Sequence, residues 1–227
     1  MQILFPGVYK MDEKRIATKN LVPGKRVYTE KVLKTKEGEL RVWDVFRSKL
    51  AAAIKKGLKT FPFTRNAKVL YLGASTGTTI SHISDIVCEG EIYAVEVAPQ
   101  PFKSLLTLCS SRENIFPIHA DARHPEEYEE VGEVDILYED VAQPDQVDIL
   151  IKNAERFLKK SGIAMFAIKS QSIDVTKNPN EIFSAVLKQL EQHFEVLEKY
   201  KLEPFDKDHM FVVLRYTNSP GGKSLSQ

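Results

Sequence analysis

Cysteine is nearly missing from this chain. Two thiols in 227 residues, Cys88 and Cys109, lie in apolar surroundings without CxxC spacing. That excludes a disulfide framework and a thiolate metal site, and both read as reduced core cysteines of an intracellular protein. Long apolar runs are missing too. No stretch approaches membrane-spanning length and the N-terminus carries no signal-peptide pattern, so no membrane association is expected. His82, His119, His124 and His193 have no metal-ligand spacing, and no metal is expected. Without a Gly-x-Ser-x-Gly elbow, Ser75, Ser81 and Ser84 are turn and helix residues rather than nucleophiles. Repeats and low-complexity tracts are absent. What is present, 43% hydrophobic and 28% charged residues, is the composition of one full-sized globular domain with room for a small appendage.

Charge of one sign is also scarce overall, at net +1, but the balance is uneven along the chain. Residues 1–60 hold 15 Lys and Arg against 6 Asp and Glu, and residues 61–227 hold 17 against 25. The basic first quarter either neutralises phosphate or simply solvates an exposed hairpin region.

Turn chemistry at Asn20–Gly24 and Lys36–Gly38 divides the first 42 residues into short expected strands at Ile3–Phe5, Val8–Met11, Arg15–Thr18, Val27–Thr35 and Glu39–Val42. An Ala-rich helix over Arg47–Leu58 and a Thr60–Thr64 hinge follow. These elements divide the chain into a β-rich N-terminal unit with its linking helix (1–58), a main domain (59–217) and a flexible tail (218–227). In the main domain, strands at Val69–Leu72, Glu91–Glu96, Ile115–His119, Val134–Glu139, Gly162–Lys169, Glu195–Leu202 and Met210–Tyr216 alternate with helices at Thr78–Val87, Pro99–Ser110, Asp145–Leu158 and Asn180–Gln192. Such alternation predicts a doubly wound α/β sheet. The last two strands have no helix between them, so the final strand either inserts antiparallel or forms a hairpin. No second mononucleotide half is present, which favours a nucleoside-dependent transferase over a nicotinamide-dependent oxidoreductase.

The most informative stretch is Lys68-Val-Leu-Tyr-Leu-Gly-Ala-Ser-Thr-Gly77, an apolar strand running into a glycine turn and a helix. Gly73 and Gly77 allow close backbone approach to a ligand, and Glu96 ends the next strand about 20 residues later, where a ribose diol is gripped. Ligands in such sheets bind beyond the strands' carboxyl ends, which here carry Gly73, Glu96, Asp121, Glu139–Gln143 and Lys169. Asp121 either faces a base edge or caps the following helix. Asp140 and Lys169 end adjacent strands, and a lysine beside a carboxylate can orient a hydroxyl and stabilise its alkoxide. Lys49 and His209 either join them or are a solvated helix lysine and a turn histidine.

These residues belong to longer motifs. Val69–Val87, Ile92–Glu96, Asp121–Pro125, Asp140–Gln146, Arg47–Ile54 and Leu202–His209 together resemble the fibrillarin family, in order and over roughly Phe5 to Tyr216. Without a Gly/Arg-rich N-terminal extension the resemblance is to the archaeal type, expected in the cytoplasm, or in the nucleolus if eukaryotic. Thr76 stands where many relatives have serine. The resemblance implies a Rossmann-like class I methyltransferase sheet with a small β-rich N-terminal domain. It implies an S-adenosyl-L-methionine-dependent RNA ribose 2′-O-methyltransferase acting on rRNA and tRNA within a box C/D ribonucleoprotein. The implied partners are guide RNA, target RNA, a Nop-family scaffold protein and a kink-turn-binding ribosomal-type protein. By the same resemblance Gly73, Ala74, Thr78 and Thr79 hold the cofactor's methionine part. Glu96 and Val97 flank its ribose, Asp121 and Ala122 its adenine, and Asp140, Val141, Ala142 and Gln143 its reactive side. Lys49, Asp140, Lys169 and His209 are the implied catalytic set. A protein glutamine methyltransferase and a non-catalytic structural subunit are the alternatives.

Overall fold

The computed structural model describes residues 2–36 and 38–217; the expected tail, 218–227, lies outside the described residues. An antiparallel N-terminal sheet has the order β1-β2-β3-β5-β4. Its strands are β1 (Gln2–Phe5), β2 (Val8–Lys10), β3 (Ile16–Lys19), β4 (Val32–Thr35) and β5 (Gly38–Trp43). The expected strand over Val27–Thr35 is cut to β4 because Glu30 turns back on its own chain. Its carboxylate accepts from the amides of Val27 (2.9 Å) and Tyr28 (2.8 Å) and from Arg41 Nε (2.8 Å), so residues 20–31 form a loop. Helix α1 (Lys49–Lys55) is shorter than the expected Arg47–Leu58, since Ser48 Oγ caps it by accepting from the Ala51 amide.

The main sheet has the order β11-β12-β10-β9-β6-β7-β8. Its strands are β6 (Lys68–Leu72), β7 (Glu91–Val95), β8 (Ile115–Ile118), β9 (Val134–Glu139), β10 (Leu158–Lys169), β11 (Phe194–Lys201) and β12 (His209–Tyr216). The helices are α2 (Thr78–Ile86), α3 (Pro99–Cys109), α4 (Gln146–Phe157), α5 (Ser170–Ile173) and α6 (Pro179–Leu190). Strands β6 to β10 pair in parallel, and β12 inserts antiparallel between β10 and β11, so the last strand both inserts and forms a hairpin with β11. A short 3-10 segment at Pro125–Val131 and the single turn α5 were not expected from periodicity, being too brief to display one.

Side-chain alternation splits the strands between two cores. Tyr71, Tyr138, Met165 and Phe211 pack on one face with α1, α2 and α3. Leu72, Leu137, Phe166 and Val212 pack on the other with α4 and α6. The N-terminal sheet adds Val8, Ile16 and Trp43 to the first core. Its Arg41, wholly buried, pairs with Glu30 (2.8 Å) and with Asp85 of α2 (2.9 Å), and Asp85 also binds Arg112 (2.8 Å). The two cysteines are free and half-buried rather than in the core. From β6 the chain runs outward through β7 and β8 and then returns to β9 on the other side. The crevice over β6 and β9 is therefore the topological switch point.

Candidate active site

A cleft of about 280 Å³ opens at that switch point. Gly73 shapes it. With φ at +78°, a Cβ here would stand 2.9 Å from the Asp140 carbonyl oxygen, so the glycine is required by the approach of β9's end. Gly77 likewise makes room for Leu108 of α3. Both glycines thus make room for protein neighbours, and Gly73 also lines the cleft. Glu96 is nearly buried, and its carboxylate accepts from the amides of Ser75 and Ala98, each at 2.8 Å. One amide fixes each oxygen and leaves a lone pair on each for a vicinal diol. Asp121 does not cap the following helix, whose N-cap is His124. Its Oδ1 accepts from the Arg123 amide (3.0 Å) and closes the turn, while the residue lines the cleft.

Lysine and carboxylate converge where β9 and β10 end. Lys169 Nζ lies 2.9 Å from Asp140 Oδ1 and donates to the Asp140 main-chain oxygen at 3.0 Å. Lys49 Nζ approaches Asp140 Oδ1 at 3.2 Å and donates to Oδ2 at 3.4 Å. The contacts to Oδ1 are charge contacts without hydrogen-bond alignment. Burial pushes the Lys49 ammonium down, but Asp140 and Asp206 outweigh it and hold its pKa above the ordinary value, so Lys49 stays a cation. Behind them Glu139 is fully buried with neither oxygen hydrogen-bonded. Burial and then the Asp140 charge push its pKa well up.

His209 arrives through sheet register, as the antiparallel partner of Lys169 in the β10–β12 ladder. Its Nδ1 lies 2.6 Å from the Lys207 carbonyl oxygen and 3.0 Å from Asp206 Oδ1. A carbonyl only accepts, so Nδ1 carries the hydrogen and, in neutral imidazole, Nε2 keeps a basic lone pair. Asp206 also reaches Lys49 at 3.6 Å.

The residues singled out in the sequence thus fall into three groups. Gly73, Glu96, Val97, Asp121, Ala122, Asp140, Val141, Ala142, Gln143 and Lys169 line the cleft, and Lys49 joins at Asp140 and His209 at Lys169. Ala74 is buried in the core. Thr79 is buried with its hydroxyl on Ser48 Oγ (3.0 Å), and Thr78 lines a different cleft. Three contributors had no sequence signal of their own beyond lying in quoted motifs. Asp206 bridges Lys49 and His209. Arg123 grips both oxygens of Asp145 (2.7 and 2.8 Å) and Gln143 Oε1 (2.9 Å). Buried Gln146 accepts from the Lys169 amide (2.9 Å) and donates to the Gln143 carbonyl (2.8 Å).

An open α/β sheet with one antiparallel strand inserted near its edge, and a nearly buried acid beside a lysine–carboxylate pair at the switch point, is the architecture of a Rossmann-like methyltransferase. The family model described as Fibrillarin matches residues 2–218. The chain is 52% identical over 216 residues to the fibrillarin-like rRNA/tRNA 2′-O-methyltransferase of Methanocaldococcus jannaschii, covering 92% of this chain and 94% of that one. Aeropyrum pernix fibrillarin, solved in complex with natively bound S-adenosyl-L-methionine, superimposes with a TM-score of 0.82 at 48% identity over 88% of each chain. The fibrillarin of a fibrillarin/Nop5p complex gives 0.87 at 41% identity over 95% of this chain and 100% of that one. The chain belongs to the fibrillarin family.

Proposed function

We propose that this chain methylates the ribose 2′-hydroxyl of rRNA and tRNA, using S-adenosyl-L-methionine, as the catalytic subunit of a box C/D guide ribonucleoprotein. Its partners there are a guide RNA, a Nop-family scaffold protein and a kink-turn-binding ribosomal-type protein. The observation that carries the reading is the Lys49–Asp140–Lys169 cluster, with His209 beside it, at a nucleoside-sized cleft. The cleft fits the cofactor: Glu96 offers one amide-fixed oxygen to each hydroxyl of a ribose, and Asp121 stands at the far end to meet a base. When bound, the cofactor supplies a methyl group already activated by its sulfonium.

The protein's task is then to make a ribose hydroxyl nucleophilic and hold it in place. Lys169, anchored through Nζ on Asp140, stabilises negative charge developing on the hydroxyl oxygen. Lys49, held as a cation between Asp140 and Asp206, adds to that field and is excluded as the base. His209 takes the hydroxyl proton on Nε2, while Lys207 and Asp206 fix its ring through Nδ1. Asp206 touches no reacting atom and is a positioning residue.

The reading is tested by methyl transfer from radiolabelled cofactor to a guide-matched RNA, with and without the scaffold and kink-turn proteins. The expected product is one 2′-O-methyl group at the guide-specified nucleotide, formed only with the partners present. Lys169→Ala should lower the rate about 10²- to 10³-fold, the cost of removing one charge-stabilising donor, with cofactor affinity within a few-fold of wild type. Full turnover by that variant, or label in protein glutamine with none in RNA, would overturn the assignment.

A further inference from the structure

A second cleft, of about 510 Å³, lies between loop 20–31, the start of α2 and helix α3. One turn separates it from the first: Ser75 lines the cofactor cleft, and Thr76 and Thr78 line this one. The loop before α1 joins them as well, since Arg47 lines the second cleft and Lys49, two residues on, reaches Asp140. Their linings differ in charge. Three carboxylates, Glu96, Asp121 and Asp140, line the cofactor cleft beside Arg123 and Lys169, whereas no acid lines the second, which carries Lys25, Arg26, Arg47 and Arg112.

Arg112 is buried and neutralised by Asp85 at 2.8 Å, so it does not count toward the exposed charge. Lys25 and Arg26 are exposed and have no ion pair among the described residues. Glu39, which feels the charge of Arg26, is bonded at Oε1 by Asn20 Nδ2 (2.6 Å) and the Gly24 amide (2.9 Å) and does not line the cleft. Arg47 is held over the Tyr28 ring, 5.3 Å from its centroid, and its Nη1 donates to Thr29 Oγ1 at 3.1 Å. Stacking of this kind orients a guanidinium without neutralising it. Three exposed cations without an ion pair among the described residues, beside neutral hydroxyls, are a receptor for phosphate oxygens.

We propose that this cleft binds a backbone phosphate of the RNA strand whose ribose reacts at Lys169. The inference rests on the RNA-methylating reading and assigns that substrate a second, purely electrostatic foothold beside the reacting group. A phosphodiester strand fits better than a free anion because the cations come from two separate segments, the loop 20–31 and the stretch that leads to Lys49. Binding here carries no base information; it adds affinity for the strand's backbone.

The test uses the assembled, guide-loaded particle. Lys25→Ala with Arg26→Ala touches two exposed side chains, so folding is not at stake. The KM for target RNA should rise about tenfold and the slope of log affinity against log salt should fall by about 1 to 2, at an unchanged kcat and cofactor affinity. Targets carrying one neutral methylphosphonate linkage at successive positions supply the second arm. Wild type should lose affinity at one linkage, and the double variant should be indifferent to that same linkage. Inorganic phosphate, added at constant ionic strength, should compete only weakly. An unchanged KM and salt slope in a particle whose wild type methylates RNA would overturn the site and leave the activity standing. Occupation of the cleft by inorganic phosphate without loss of RNA affinity would assign it to a free anion and overturn it too. A wild type that methylates no RNA would sink the activity and this site together.

Discussion

At the scale of single residues, the active site is decided by which groups keep their charge. Glu139 and Asp140 are neighbours in sequence, yet burial and the adjacent charge drive Glu139 to its neutral form while Asp140 holds two lysines. Lys49 is the converse case, since burial alone would drive it toward neutrality and only Asp140 and Asp206 hold it cationic. That dependence gives Asp206 a measurable role. In Asp206→Asn, Lys49 loses one of its two anions, so its pKa falls and the cation is surrendered at lower pH. A rate that needs the Lys49 cation is full below that pKa and is lost as pH rises through it. The alkaline limb of the kcat profile should therefore move to lower pH, with kcat down about tenfold, equivalent to about 1.4 kcal/mol in the barrier. Cofactor affinity should stay level, because Asp206 does not line that cleft. An unmoved alkaline limb would remove Asp206 from the site.

At the scale of elements, the ends of β9 and β10 are held together by the first residue of α4. Gln146 is wholly buried and spends its amide on the Lys169 N–H and the Gln143 carbonyl. Gln146→Ala leaves both without that partner, which should cost about 1–3 kcal/mol in denaturant unfolding and lower kcat through a loosened Lys169. Retained kcat at reduced stability would show that Lys169 is positioned by Asp140 alone. The elements that meet here were legible because each is a local pattern: apolar strands Val134–Glu139 and Gly162–Lys169, with Asp140 and Lys169 at their exits. Their meeting with His209 was legible only through resemblance, since it depends on β12 entering antiparallel in the register that sets His209 against Lys169. The loop 20–31 was misread in part because Val27 and Tyr28 have strand-forming side chains. What bends them is Glu30, and Glu30 is fixed by Arg41, eleven residues on. Asp206 gave no signal because its partners lie at Lys49 and His209, one of them in a different part of the chain altogether. Periodicity reads one segment at a time, and these contacts join segments far apart.

At the scale of the whole molecule, the N-terminal sheet is fastened to the methyltransferase sheet by buried charge as well as by shared core. Asp85 receives Arg41, Arg112, the Thr18 hydroxyl (2.6 Å) and the Leu21 amide (3.0 Å), so one α2 carboxylate ties together β3, β5, the 20–31 loop and the chain before β8. His82 lies in the same seam, stacked on Trp43 at 4.8 Å between ring centroids. Thr18 has a single hydroxyl hydrogen and gives it to Asp85. His82 Nδ1, 2.7 Å from that oxygen, must therefore be the donor, and Nε2 the acceptor of the Tyr28 hydroxyl at 2.7 Å. That arrangement requires a neutral ring, and burial, then Arg41 and Arg112, hold the His82 pKa well below its ordinary value. The unfolded chain takes up this proton below about pH 6.5 and the folded chain does not. Stability is thus complete above that pH and falls as pH drops through it, by up to about 1.4 kcal/mol per pH unit. Thermal unfolding between pH 7.5 and 5 should show this acid loss in the wild type, with a shallower slope in His82→Gln, which keeps a polar side chain there but cannot titrate. Because the loop that lines the cationic cleft is anchored to the same seam through Leu21 and Tyr28, that acid loss should reach the loop as well. Amide exchange over residues 20–31 should then accelerate on acidification more than exchange in β9 and β10, and equal acceleration throughout would place the weak point outside this seam.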